Sequence, residues 1–241
     1  MQETKRIAMW SGPRNLSTAM MYAFAQRGDC QVVDEPFYAA YLAATGIEHP
    51  MQEEVLASQP QDGLEVVAEL SKPADRPLFY QKHMCQHMVP GMPRDWMADV
   101  KNVFLIRHPA RVIASYAQKR EAPTLADIGF DLQDALYDHC LALGQSPVVI
   151  DSYDILQNPE GMLRTLCDAL EIAFDPAMLS WPAGGNAADG AWAPVWYGAV
   201  HRSTGFAGAE GPLPELDTEK AAIAQAAFPL YQRLKDVSLT L

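Results

Sequence analysis

Short apolar runs alternate with helical patterns along most of this chain. Five of the runs have the length of strands and lie at residues 6–10, 31–34, 78–83, 103–106 and 147–151. The run at 103–106 is almost wholly apolar, which is typical of a strand that is covered on both faces. The alternation predicts a three-layer α/β fold, in which helices flank a mostly parallel central sheet of about five strands. Ligands of such sheets bind beyond the carboxyl ends of the strands.

The segments between these runs carry the helical patterns, and one segment is unusually long. Helices are predicted at about 16–28, 37–44, 53–57, 64–70, 109–116, 125–143, 158–170 and 218–234. Residues 181–214 are rich in glycine, alanine and tryptophan and are too many for a simple turn. We expect a single domain over residues 1–241, with the segment around 181–214 acting as a lid or cap.

The charge balance argues against two classes of partner. The 241 residues are 49% hydrophobic and 20% charged, with a formal net charge of -12. Binding to nucleic acid or to an anionic membrane depends largely on phosphate neutralisation by Lys and Arg, so neither partner is expected. A small anionic ligand stays compatible, because a few basic groups focused in one cleft outweigh a diffuse negative surface at short range.

The sequence also predicts a cytoplasmic protein without a metal centre. The apolar stretch near the N-terminus is too short for a secretory signal, and no run of about 18 apolar residues occurs. The cysteines are widely spaced and form no CxxC pair, so we expect buried free thiols. His83, Cys85 and His87 alternate along one stretch, but no fourth ligand is evident, and a metal site is not predicted.

The loop after the first predicted strand has the chemistry of an anion site. The first N–H groups of a helix lack intrahelical partners and carry partial positive charge, which favours a phosphate. Arg14 adds a guanidinium group, and Ser17 and Thr18 add hydroxyls. Alternatively, Ser17 and Thr18 are ordinary early-helix residues and Arg14 is solvated. The residues that join strand to helix here are Gly12, Pro13, Arg14, Asn15, Leu16, Ser17 and Thr18.

This loop resembles the 5′-phosphosulfate loop of the sulfotransferase family, which reads P-[KR]-S-G-[ST]-T after a first strand. Pro13, Arg14, Ser17 and Thr18 match that pattern, whereas residues 15–16 are Asn-Leu in place of Ser-Gly. The loop is not a Walker A motif, because the second glycine and the lysine of GxxxxGK[ST] are absent. The resemblance implies the P-loop-like fold of that family.

A second strand-to-helix unit, at residues 107–115, carries an arginine and a serine. Arg107 ends the fourth predicted strand, and Ser115 lies two turns into the following helix. A strand-end guanidinium beside a helix hydroxyl can bind a terminal phosphate by charge-assisted hydrogen bonds. Taken alone, the two residues also fit an ordinary strand terminus. The pair resembles the 3′-phosphate site of the sulfotransferase family, which has the same residue types at the same separation.

Together the two segments, at residues 10–18 and 107–115, resemble the family over roughly residues 6–118. The resemblance implies 3′-phosphoadenosine 5′-phosphosulfate as the sulfuryl donor and adenosine 3′,5′-bisphosphate as its product. It also implies a small-molecule acceptor that carries a hydroxyl or an amine. No metal is obligatory for this transfer. Two other classes stay open: a P-loop-type nucleotide-dependent kinase, and a nucleotide-binding protein without catalysis.

Sulfuryl transfer needs a base on the acceptor and cations around the leaving phosphate. Arg14 is the candidate for the second role. Glu35 is the first candidate for the base and Asp34 is its substitute, because both follow the second strand. A similar carboxylate is the proposed base in some bacterial and carbohydrate members of the family. Alternatively, either acid caps the helix that starts near Phe37.

His83 is a rival for the base. With Lys82, it resembles the lysine and histidine of the cytosolic aryl and steroid sulfotransferases, in which one residue separates the two. Here the two residues are adjacent, so the alternation of side chains along a strand points them to opposite faces. Lys82 is expected to steady the sulfuryl oxygens, with a solvated lysine as the alternative.

The segment VHRSTGF at residues 200–206 resembles the loop that closes the cofactor site of the family, although the usual Arg-Lys-Gly string is missing. Arg202 is therefore predicted to contact the 3′-phosphate. Trp192 and Trp196, which precede it, are predicted to form a wall of the acceptor pocket. Ordinary aromatic packing beside a surface arginine is the alternative.

Overall fold

The computed structural model describes residues 4–118 and 124–241. The strands within this part of the chain are β1 (Lys5–Ser11), β2 (Cys30–Asp34), β3 (Leu78–Met84), β4 (Lys101–Ile106) and β5 (Val148–Asp151). They form one five-stranded sheet in the order β2-β3-β1-β4-β5. Every neighbouring pair is parallel, so the predicted α/β fold is confirmed.

Helices connect the strands and cover both faces of the sheet. None of the helices in the described residues is both long and apolar enough to cross a lipid bilayer. The helices are α1 (Ser17–Ala25), α2 (Tyr38–Thr45), α3 (Gln52–Ser58), α4 (Gly63–Ser71), α5 (Pro109–Tyr116), α6 (Leu125–Ile128), α7 (Phe130–Ala142), α8 (Ser152–Gln157), α9 (Pro159–Ala169), α10 (Ala193–Trp196) and α11 (Thr218–Lys235).

Apolar side chains of the strands point to both faces of the sheet and create two core layers. On one face, Ala8 and Trp10 of β1 pack in a cluster that includes residues of α5, α7 and α11. On the other face, Ile7 and Met9 pack with residues of α1 and α9. Burial on both faces explains why β1 and β4 are apolar at successive positions, Ile7 to Trp10 and Val103 to Ile106, instead of alternating with polar residues.

Three helical regions differ from the sequence prediction, and one of them is α10, which lies in the segment expected to act as a lid or cap. The helix expected over 125–143 is divided into α6 and α7 at Gly129, where φ is 67°, a left-handed conformation that glycine adopts at little cost. The chain also forms α8 directly after β5, because the Asp151 side chain accepts a hydrogen bond from the main-chain N–H of Tyr153 at 2.9 Å. The sequence pattern indicates no helix there.

The loops that follow β1, β2, β3 and β4 meet at one edge of the sheet, because all the strands run in the same direction. The chain first builds the sheet on one side of β1, through β2 and β3. It then crosses to the other side, to β4 and β5. Such a reversal of strand order opens a crevice at the carboxyl ends of the strands, where α/β sheets bind ligands.

Candidate functional site

A cavity of about 350 Å³ lies at this edge of the sheet. Pockets for small ligands usually have volumes of about 300–1,000 Å³. Its wall is formed by the loop after β1, residues beside β2 and β3, the unit around α5 and residues 181–214, which we call the late segment. The lining includes Pro13, Arg14, Asn15, Leu16, Ser17, Thr18, Glu35, Lys82, Arg107, Ser115, Trp192 and Trp196.

The loop after β1 turns through two left-handed residues. The angle φ is 62° at Arg14 and 70° at Leu16, which precedes α1. Leu16 therefore takes a conformation that glycine usually adopts, although its own side chain disfavours it. Ser17 and Thr18 line the cavity at the start of α1, and no acidic side chain lies in the first turn. The partial positive charge of the helix N-terminus is thus available to an anion.

Gly12 and Asn15 fix this loop against neighbouring elements of the fold. Gly12 does not line the cavity. A Cβ atom on Gly12 would lie 2.5 Å from the carbonyl oxygen of Ile128, so packing against the end of α6 requires glycine at this position. Asn15 is buried, and its Nδ2 donates to the carbonyl oxygen of Leu105 at 3.2 Å. This bond ties the loop to β4.

Arg14, Arg107 and Ser115 form one hydrogen-bonded group in the cavity wall. Nε of Arg14 donates to the Ser115 hydroxyl at 2.8 Å, and Nη1 of Arg107 donates to the carbonyl oxygen of Arg14 at 2.6 Å. Burial lowers the pKa of Arg14, and the nearby charge of Arg107 lowers it further. Two guanidinium groups this close together favour an anion. The structure thus brings both predicted segments to one place.

A carboxylate from the late segment supplies an anion here. Nη2 of Arg107 donates to Oε1 of Glu210, and Oε2 of Glu210 lies 3.1 Å from Nε of Arg111. The contact with Arg111 is an ion pair without the geometry of a directed hydrogen bond. Sequence reasoning misses both residues. Arg111 lies four positions beyond Arg107, in the first turn of α5, which is a usable signal, but nothing in the sequence links Glu210 to this site.

A buried ammonium group lies between two carboxylates in another part of the wall. Nζ of Lys82 donates to Oδ1 of Asp34 at 2.8 Å, to Oε1 of Glu35 at 2.5 Å and to the hydroxyl of Tyr197 at 2.7 Å. These bonds engage all three N–H groups of the ammonium. The Tyr197 hydroxyl also lies 2.7 Å from Oδ2 of Asp34 and accepts from Nε1 of Trp192 at 2.9 Å. We call Asp34, Glu35, Lys82 and Tyr197 the Lys82 cluster.

Burial and charge pairing set the protonation of this cluster. Burial raises the pKa of Asp34 to about 6, although the Lys82 ammonium opposes the shift and the Glu35 carboxylate adds to it. Burial alone would lower the pKa of Lys82, but the two carboxylates together raise it above its ordinary value. Lys82 therefore stays charged and orients the carboxylates. A contact with a sulfuryl oxygen, its predicted role, requires exchange of one of its three partners.

Of the two candidate carboxylates, Glu35 lines the cavity and Asp34 does not. Glu35 has a φ of 38° directly after β2, and 7% of the residue is exposed. Its Oε2 lies 3.9 Å from Nε2 of His87, a residue that the sequence analysis does not assign to the base. Burial, with the Lys82 charge adding, holds the pKa of His87 well below its ordinary value, so its ring is neutral. Glu35 is thus the acid at the cavity surface.

His83 faces away from this cavity, into the core on the other side of the sheet. Its ring stacks on Trp10, with 4.4 Å between the ring centroids, and only 1% of the residue is exposed. Burial lowers the pKa of His83 to about 3, so the ring is neutral near pH 7. In this conformation the imidazole cannot contact a molecule bound in the cavity, so the geometry does not support His83 as the base.

The late segment contributes aromatic side chains to the cavity. Trp192, Trp196 and Tyr197 line it, around the short helix α10. Arg202 is exposed and does not line the cavity, so the contact predicted between Arg202 and a 3′-phosphate is not part of this conformation. The place of Tyr197 in the Lys82 cluster has no sequence signal, because 115 positions separate Tyr197 from Lys82.

The titratable side chains outside these groups do not assemble a metal site. Within residues 4–118 and 124–241, no three His, Cys, Asp or Glu side chains are grouped so that they could hold a metal ion. Cys85, from the alternating stretch, is buried in the core beneath the sheet. All four cysteines are free thiols, and three of them are buried.

Comparison with known proteins extends over nearly the whole chain. The family described as Sulfotransferase domain matches residues 5–238. The solved "Sulfotransferase Domain from the Synechococcus PCC 7002 Olefin Synthase" has a TM-score of 0.55 at 17% identity, covering 94% of this chain and 95% of that chain. The "Sulfotransferase Domain from the Curacin Biosynthetic Pathway" has a TM-score of 0.52 at 17% identity, covering 94% and 98%. At these identities the likeness shows a shared fold.

A relative in a plant is closer in sequence but much longer. "Branched-chain-amino-acid aminotransferase-like protein 1" of Arabidopsis thaliana is 38% identical over 236 residues, which are 98% of this chain and 42% of that protein. The chain thus spans about two fifths of the length of this curated relative. That name belongs to the longer protein.

Proposed function

Because the chain belongs to the sulfotransferase domain family, we propose that it transfers a sulfuryl group from 3′-phosphoadenosine 5′-phosphosulfate to a hydroxyl or amine of a small-molecule acceptor. The observation that carries the proposal is the grouping of Arg14, Ser115 and Arg107 in the same cavity as Glu35. The pairing of Arg107 with the Glu210 carboxylate supports this proposal, because it shows that Arg107 binds an anionic group in the cavity wall.

The donor supplies a sulfuryl group attached to a good phosphate leaving group. In our assignment, Ser17, Thr18 and Arg14 bind the 5′-phosphate oxygens at the N-terminus of α1. Arg107 and Ser115 bind the 3′-phosphate. The charge of Arg14 also stabilises the negative charge that develops on the leaving phosphate. The two arginines thus account for two separate anionic groups on one ligand.

Glu35 takes the proton of the acceptor hydroxyl or amine as that group bonds to sulfur. Lys82, with all its donors engaged, holds the carboxylate in place. The aromatic rings of Tyr38, Trp192 and Trp196 line the same cavity and favour an acceptor with an apolar or aromatic surface. An acceptor that carries its own carboxylate is disfavoured, because Lys82 is already neutralised.

Calorimetric titration with adenosine 3′,5′-bisphosphate and with magnesium-ATP, side by side, tests the donor. We expect the bisphosphate to bind at sub-millimolar concentrations and magnesium-ATP to bind at least about tenfold more weakly, because ATP has no 3′-phosphate. Tighter binding of magnesium-ATP would instead support a nucleotide-dependent kinase.

A transfer assay with a radiolabelled sulfuryl donor and a panel of phenols, alcohols and amines tests catalysis. We expect labelled product with neutral aromatic acceptors. Binding of the bisphosphate without transfer to any acceptor class would support a nucleotide-binding protein that lacks catalysis.

A further inference from the structure

The contact between Glu210 and the two arginines places a protein carboxylate where the proposed function requires a phosphate. Oε1 of Glu210 accepts a hydrogen bond from Nη2 of Arg107, and Oε2 forms an ion pair with Arg111. Arg107 also bonds to Arg14, which in turn bonds to Ser115. The carboxylate therefore pairs with the same guanidinium group that is assigned to the 3′-phosphate.

We propose that Arg111 is a further ligand of the 3′-phosphate and that Glu210 occupies this phosphate site until the donor displaces it. The inference rests on the proposed function, because it concerns the 3′ end of the same donor. It adds one binding residue, and it makes the segment around Glu210 a competitor of the donor.

The charges favour the exchange. Arg107 and Arg111 carry two positive charges, and the carboxylate of Glu210 supplies one negative charge. A phosphate monoester carries a charge of about -1.5 to -2 near pH 7 and offers three acceptor oxygens where the carboxylate has two. Nε of Arg107 is buried and has no acceptor among the described residues, so the site retains a donor that a phosphate oxygen can use.

The segment that carries Glu210 is only lightly attached to the rest of the molecule. Ala207, Gly208 and Ala209 before it are exposed, as are the three residues at 211–213 after it. The Glu210 side chain is only 11% exposed, and Arg111 also donates to the carbonyl oxygen of Gly211. The segment is therefore held mainly through the two arginines, and a ligand that takes those arginines releases it.

The proposal is tested by calorimetric titration of the full chain with two ligands. One is adenosine 3′,5′-bisphosphate and the other is adenosine 5′-monophosphate, which lacks the 3′-phosphate. An internal competitor raises the apparent Kd by the inverse of the fraction of molecules in which the site is free, so Glu210→Gln should bind the bisphosphate about tenfold more tightly. Its affinity for the monophosphate should change by less than about twofold. Arg111→Gln should lower the affinity for the bisphosphate by about tenfold and leave the affinity for the monophosphate nearly unchanged.

Glu215→Gln is the matched control, because Glu215 is an exposed acid of the same segment and the charge change is the same. We expect this control to bind both ligands as the wild type does. Equal effects of Glu210→Gln and Glu215→Gln would show a diffuse charge effect and overturn the proposal. Unchanged or weaker bisphosphate binding by Glu210→Gln would also overturn it.

Hydrogen exchange on the wild-type protein gives a second test that needs no variant. Adenosine 3′,5′-bisphosphate should increase amide exchange at residues 208–211, whereas adenosine 5′-monophosphate should not. Protection of these amides by the bisphosphate would overturn the displacement. If neither the wild type nor Glu210→Gln binds the bisphosphate, the proposed function itself fails. If the wild type binds it and Glu210→Gln binds it no better, only this inference fails.

Discussion

Arg14 and Ser115 lie 101 positions apart in the chain, and Nε of Arg14 donates a hydrogen bond of 2.8 Å to the Ser115 hydroxyl. Arg107 bonds in turn to the main chain of Arg14. The loop after β1 and the unit that begins α5 therefore hold each other in place through protein groups. A substitution in one of them is expected to disturb ligand binding at the other.

Substitution of Arg107 tests where the 3′-phosphate binds. Arg107→Ala should weaken binding of adenosine 3′,5′-bisphosphate far more than binding of adenosine 5′-phosphosulfate, because only the first ligand has a 3′-phosphate. Loss of a charge-assisted pair costs about 2 kcal/mol, or roughly thirtyfold in affinity. Titration calorimetry of both ligands measures the difference. Equal losses for the two ligands would place the 3′-phosphate elsewhere.

Substitution of Glu35 tests the base. Glu35→Gln keeps the shape of the side chain and removes its ability to take a proton, so turnover should fall by about a hundredfold or more. Affinity for adenosine 3′,5′-bisphosphate should stay within about twofold. Glu65→Gln, an exposed position on α4, is the control and should leave turnover unchanged. Retained turnover in Glu35→Gln would assign the base to Asp34 or to His83.

Substitution of His83 gives a prediction for acid stability. The pKa of His83 is about 3 in the folded protein and near 6.5 in the unfolded chain. Below pH 6.5 the unfolded chain binds a proton that the folded protein does not, so stability falls as the pH falls towards 3. Between pH 7 and pH 5 the wild type should lose about 2 kcal/mol more than His83→Gln. Urea unfolding at the two pH values measures this.

The same variant also tests whether His83 is only a core residue or takes part in catalysis. His83→Gln should retain most of its turnover at pH 7, because His83 does not line the cavity. If turnover were lost while the variant stayed folded, His83 would return as the base. If both proteins lost stability equally between pH 7 and pH 5, the folded protein would have to bind the proton on His83.

The left-handed conformation of Leu16 predicts that glycine is a more stable replacement than alanine at this position, which is the reverse of the usual order. Leu16→Gly should be about 1 kcal/mol more stable than Leu16→Ala, since both lack the leucine side chain and only alanine is strained at a φ of 70°. Leu64, which is 69% exposed on α4, is the matched position. There alanine should be the more stable substitute. Thermal unfolding of the four variants measures whether the glycine or the alanine variant is more stable at each position. The same ranking at both positions would contradict backbone strain at Leu16.

The parts of the molecule that sequence reasoning predicts well depend on local signals. Apolar runs locate the five strands, and in β1 and β4 burial on both faces of the sheet requires these runs. Residues 13–18, Arg107 and Ser115 are found because a strand-to-helix unit places its ligand-binding residues within two turns. The structure then shows that these residues line one cavity. Their roles in binding a donor remain predictions.

The parts that sequence reasoning misses depend on distant contacts. Glu210 and Tyr197 meet Arg107 and Lys82 from more than 100 positions away, and no periodic pattern encodes such a meeting. The alternation of side chains along β3 correctly separates Lys82 from His83. It leaves open which of the two faces the cavity, since that depends on how the helices cover the sheet.

Tyr197 has a consequence for attempts to change the acceptor. Its hydroxyl connects the wall that contains Trp192 to the ammonium of Lys82 inside the sheet. A late segment grafted from a relative without this phenol would leave a buried donor unsatisfied, at a cost of about 1–3 kcal/mol. Exchange of the aromatic wall would then also loosen Glu35. Redesign of the proposed acceptor pocket therefore has to conserve this one hydroxyl, or the graft will also displace the carboxylate that we propose as the base.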